Sequence, residues 1–136
     1  MPEWVGLPPV VRADGPRRIQ LHRTKGFVMP LNCRSVARPS EYGNPFRILH
    51  DRYAYWVQFQ YHGELGDTVG TFDRAGAQRF AVEAFRVWLP SHVTAGQLAR
   101  LRGHDLGCFC PLVDENGEPV PCHAEIWLFL ANKDES

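Results

Sequence analysis

Apolar and polar residues alternate from Arg18 to His22, and together with the run from Cys33 to Ala37 this predicts two short strands. Tyr53 to Tyr61 is aromatic and β-branched enough to predict a third, although Arg47 to Tyr55 also fits a helix, and both readings stand. From Asp73 the period changes. Ala77, Phe80, Ala81, Ala84, Phe85 and Trp88 recur at i, i+3 and i+4, which predicts an amphipathic helix capped by Asp73 and ended near Leu89 by Pro90. Thr94 caps a shorter helix carrying Leu98 and Leu101, and Gly103 stops it. A short apolar strand begins at Asp105 and runs into Cys110 and Pro111. After a polar loop, Pro121 to Leu130 predicts a helix whose first turn holds Cys122, His123 and Glu125.

Strands followed by helix, helix, strand, helix predict an α/β fold: a small three-layer-like sandwich with a mixed or parallel sheet covered by helices. Residues 1–16, with Pro2, Pro8, Pro9, Gly15 and Pro16, read as an irregular N-terminal arm, and residues 17–136 as a single α/β domain. Composition adds limits to this picture. With 44% hydrophobic residues, a chain of 136 can bury a core of its own. Fifteen basic against fifteen acidic residues exclude a global field drawing the chain onto nucleic acid or an anionic membrane, so any polyanion site is local. No apolar run approaches the ~20 residues that span a bilayer, and the N-terminus lacks the order of a signal peptide. A cytoplasmic protein with no membrane partner is expected.

In that compartment four cysteines point to reduced thiols rather than disulfides. Cys33 stands apart and reads as a small buried hydrophobe on a strand. The other three meet His123, and two uses of the group stay open. Cys108, Cys110, Cys122 and His123 supply a Cys3His set for zinc, although adjacent residues on a helix point about 100° apart and seldom ligate one ion. Alternatively Cys122, at a helix N-terminus, becomes a stabilised thiolate, with His123 or His104 moving protons and Glu125 orienting them. A plainer reading keeps Cys108 and Cys110 as strand core and His123 as a surface cap.

Cations and hydroxyls gather in Arg23 to Gly26 and Arg34 to Ser40, and Gly43 to Phe46 adds a sharp bend. Lys25, Arg38, Ser40 and Asn44 have the chemistry to bind phosphate, with no glycine-rich nucleotide motif among them; equally they fit a solvated turn. His22, His50, His62 and His92 find no partner by spacing. The aromatics of 53–61 offer stacking faces for bases but fit core and one sheet face better.

Taken in order, Arg23 to Phe27, Arg38 to Phe46, Phe85 to Leu89, Leu101 to Pro111 and Cys122 to Glu125 resemble an uncharacterised family, domain of unknown function four-three-two-six, over about residues 18–132. The resemblance implies a bacterial or phage setting, especially actinobacterial, and with it nucleotide, nucleobase or DNA-modification chemistry, but no assigned activity. The insert from Cys110 to Cys122, with Asp114 to Glu118, is longer than the family implies. The strand cysteine and Cys-His helix start are also similar to a second uncharacterised α/β family, whose Cys-His-Arg has Ala124 here in place of the arginine.

The expectation is therefore an enzyme-like pocket that binds or modifies a nucleotide, nucleobase or other phosphorylated ligand. Lys25, Arg38, Ser40 and Asn44 would bind it, and Cys108, Cys122, His123 and Glu125 would act on it. Its rival is a zinc-stapled module, non-catalytic, with Cys108, Cys110, Cys122 and His123 on the metal and nucleic acid or a protein as partner.

Overall fold

The computed structural model describes residues 15–38 and 40–133; the expected arm lies outside them up to residue 14. In chain order the elements are β1 (Arg18–Gln20), β2 (Cys33–Ser35), β3 (Phe46–His50), β4 (Tyr55–Tyr61), β5 (Glu64–Phe72), α1 (Arg74–Trp88), a 3₁₀ turn (Leu89–Ser91), α2 (Ala95–Leu101), β6 (Asp105–Cys108) and α3 (His123–Asn132). The chain is α/β, as its pattern predicts. It divides into two compact units, one formed by the residues up to Gly43 together with those from Val93 onward, the other by Asn44–His92.

In the first unit β6 lies between β1 and β2 and is parallel to both. A strand flanked on both edges has its backbone groups paired on each side, and its side chains read as a continuous buried run. Leu106, Gly107 and Cys108 are all buried. Gly107 is required by close approach: a Cβ there would stand 2.7 Å from Leu21 Cδ2 and 3.1 Å from Cys33 Sγ. Gly107→Ala is therefore expected to cost about 1–3 kcal/mol, read as a lower urea midpoint with unchanged slope. Cys33 is 1% exposed on β2, and burial raises its thiol pKa, with the Asp105 charge adding to the effect. It is a core residue.

Helix α3 packs on β6 and β1, and α2 packs on α3. Its buried positions run nearly all round it, including Ala124, Ile126, Trp127, Leu128 and Leu130, as expected of a helix enclosed by its own unit. The far end is tied down by polar contacts. Arg102 Nε donates to Ala131 O at 2.7 Å, and Gly103 N donates to Asn132 Oδ1 at 3.0 Å. Thr94 and Gln97 form a reciprocal capping box at the start of α2.

In the second unit β3, β4 and β5 form an antiparallel sheet against which α1 packs. One buried cluster in it is Val57, Ala77 and Ala81, with Phe46, Ile48, Tyr55 and Phe80 packed against them, and Val82, Phe85 and Leu89 are buried as well. Asp73 caps α1 by accepting from Gly76 N at 2.7 Å. The strand expected over Tyr53 to Tyr61 is found as β4, whereas the helix weighed for Arg47 to Tyr55 is not: Phe46–His50 is a further strand, β3, whose pairing with β4 satisfies its backbone. Strand β5 has no counterpart in the sequence pattern. Its described side chains up to Gly70 are exposed, so no apolar alternation marks it, and its sign is the two-residue His62-Gly63 turn, where both residues take positive φ.

Candidate metal centre

Parallel strands β1, β2 and β6 end on the same side, and the central one, β6, leads into one cluster. Cys108 closes β6. Cys122 is the N-cap of α3 and His123 its first residue. The donor atoms of Cys108, Cys122 and His123 all lie within 4.8 Å of one another, and all three residues are buried. Cys110, half-buried, brings its Sγ to 3.7 Å from that of Cys108. None of the four cysteines is in a disulfide.

The expected 100° divergence of Cys122 and His123 does not occur. It presumes that both residues are helical, whereas Cys122 has extended backbone (φ −147°, ψ 147°), which turns its thiol back beside the imidazole. Its Sγ stands 3.6 Å from His123 Nδ1. The opposite ring nitrogen, Nε2, lies 2.7 Å from Val36 O. A carbonyl can only accept, so Nε2 carries the hydrogen and Nδ1 presents its lone pair to the thiols, the orientation that an outer hydrogen bond gives a metal-ligating histidine. Val36 is placed in turn by its own N–H, which donates to Gly107 O at 2.9 Å and continues the pairing of β2 with β6.

The thiols share their protons unequally. Cys108 has its pKa lowered, first by hydrogen bonding from Cys110 and then from Cys122. Cys122 has its pKa raised, first by its hydrogen bonds with Cys108 and Cys110 and then by burial. The hydrogen bonds among the thiols thus favour ionisation at Cys108 over Cys122. Thiols beside an imidazole lone pair are a soft S/N donor set, and Cys108, Cys122 and His123 can hold a metal ion.

The remaining candidate residues stand elsewhere. Glu125 faces Arg18, at 2.5 Å, rather than the thiols. Burial raises its pKa against the pull of Arg18. Lys25 and Arg38 are exposed. Ser40 Oγ accepts from Tyr42 N at 3.3 Å and so closes its own turn. Asn44 belongs to the other unit, where its amide donates to Ala81 O at 3.1 Å and its carbonyl accepts from Phe46 N at 2.8 Å. Sequence reasoning missed Arg18 and the Val36 carbonyl. The carbonyl carries no side-chain signal, and the sign of Arg18 is only a cation on a strand that is otherwise half-buried.

A sulfur and imidazole cluster at the carboxyl end of a central parallel strand defines a small α/β cysteine–histidine domain. Residues 19–133 match the family model described as Domain of unknown function (DUF4326), and the chain belongs to that family. No curated protein and no solved structure matches it. Among the described residues no helix is long and apolar enough to cross a membrane.

Proposed function

We propose that the chain is a zinc-stapled binding module, non-catalytic, in which Cys108, Cys110, Cys122 and His123 close a tetrahedral site. Two donor spacings, with the grouping of Cys108, Cys122 and His123, support this reading. With Zn–S of about 2.3 Å and Zn–N of about 2.0–2.1 Å, tetrahedral neighbours lie about 3.8 Å apart for two sulfurs and about 3.5 Å for sulfur and nitrogen. Cys108 and Cys110 stand at 3.7 Å, and Cys122 and His123 at 3.6 Å. Four protein ligands leave no open position for a substrate, which is the form of structural zinc.

The segment from Arg23 to Arg38 supplies the binding face. Arg23, Lys25, Arg34 and Arg38 are exposed there, beside exposed Phe27, Val28, Met29 and Leu31. Cations next to apolar side chains suit an anionic partner, nucleic acid or protein. One observation favours a second reading. A lowered Cys108 pKa also makes a nucleophile, which would act on a nucleotide, nucleobase or phosphorylated ligand held by Lys25 and Arg38.

Thiol labelling of protein purified without added metal separates the two. The zinc module has one zinc per chain and its site thiols react only after chelation. A zinc-free protein with one fast-reacting thiol at Cys108 would overturn it in favour of the second reading.

A further inference from the structure

Arg18 lies on β1, far in sequence from the metal centre, yet its side chain is only 8% exposed. Its Nη1 donates to Glu125 Oε1 at 2.5 Å and to Val120 O at 2.6 Å, and its Nη2 donates to Pro111 O at 2.6 Å. These acceptors are not scattered. Pro111 follows Cys110 directly, Val120 comes two residues before Cys122, and Glu125 sits in the first turn of α3. One guanidinium therefore grips the loop where it leaves one thiol, where it reaches the next, and the helix that begins there.

We propose that Arg18 is a positioning residue for the metal centre, a latch that holds the 111–121 loop closed so that Cys110 and Cys122 meet Cys108. The planar fork of arginine is suited to this task. It reaches two carbonyls and a carboxylate at once, which the point charge of lysine does not reproduce. Glu125 is the counter-charge that lets the guanidinium be buried. Without the latch, the loop samples open conformations, and metal binding must bear the cost of ordering it. The latch also ties β1 to the site, since Arg18 pairs in register with Leu106 of β6.

The effect on metal affinity rests on the zinc reading; the latch itself does not. The test uses the full chain with Arg18→Met and Glu125→Gln together, so that no buried charge is left unpaired. Zinc affinity is measured by competition with a chromophoric chelator, and hydrogen exchange is followed at the amides of 112–120. Affinity is expected to fall about 10–100-fold, as for other outer-shell partners of metal ligands. Exchange in the loop should quicken while exchange in α1 stays unchanged. Arg18→Lys, which keeps the charge but not the fork, should fall between wild type and the double variant, and it decides the matter if the double variant does not fold. Wild-type exchange in the loop overturns the latch whether or not metal binds. Faster exchange with wild-type affinity overturns its role at the metal. A wild-type protein that takes up no zinc overturns the zinc reading, and loop exchange then still decides the latch.

Discussion

Removing zinc with a strong chelator is expected to unfold the parallel-sheet unit, and Cys122→Ser is expected to do the same without a chelator. The candidate ligands come from the end of β6, the residues after it and the start of α3, so a bound metal would join the central strand to the helix that fills the unit. Metal-binding free energy at such a site is folding free energy, about 10–16 kcal/mol in zinc-finger peptides, against total stabilities of about 5–15 kcal/mol for ordinary domains. The sheet and its core carry part of the stability here. Even a loss of ~3 kcal/mol would lower the melting temperature by roughly 9–15 °C in a chain of this size. The pH dependence has a definite sign. In the metal-free protein the Cys122 pKa is raised, so the thiol keeps its proton at neutral pH, and zinc must displace it. Bound zinc holds the same thiol deprotonated, a depressed value, so zinc-dependent stability is present at higher pH and is lost as pH falls. Melting with and without chelator, at two pH values, reads both effects. A melting curve that ignores the chelator at every pH would contradict them.

Trp127→Ala is expected to give the second largest loss, about 3–5 kcal/mol, the usual range for truncating a large buried aromatic. Trp127 is 1% exposed, its ring meets Tyr42 edge-on at 5.2 Å, and its Nε1 donates to Tyr42 O at 2.9 Å. Removing the indole opens a cavity and takes a donor from that carbonyl. Trp127→Phe keeps most of the volume and is expected to cost clearly less. Both variants should still bind one zinc, because Trp127 is not a ligand. This separates a packing loss from a metal loss. Denaturant midpoints with metal content measured on the same samples test it, and loss of zinc in Trp127→Phe would contradict the division.

Much of the fold is local and therefore legible in sequence. Asp73 and Thr94 announce their helices because capping depends on neighbours three residues away, and both caps are present. The apolar run at Asp105 and the helix after Cys122 are likewise short-range features. The division of the chain is not local: it leaves one unit after Gly43 and returns at Val93. Strand β5 escapes because an exposed strand carries no apolar alternation. At the centre, residue types pointed to the residues that cluster, but helical geometry assigned one residue too early made Cys122 and His123 look divergent. What orients them, the Val36 carbonyl and Arg18, lies 87 and 107 residues away from its partner. Spacing along the chain holds no trace of such pairs.

Zinc K-edge X-ray absorption, on protein purified without added metal, tests the centre most directly. Three sulfurs at about 2.3 Å and one nitrogen at about 2.0–2.1 Å are expected for Cys108, Cys110, Cys122 and His123. Protein without zinc, or zinc surrounded by oxygen and nitrogen alone, would contradict the closed Cys3His site.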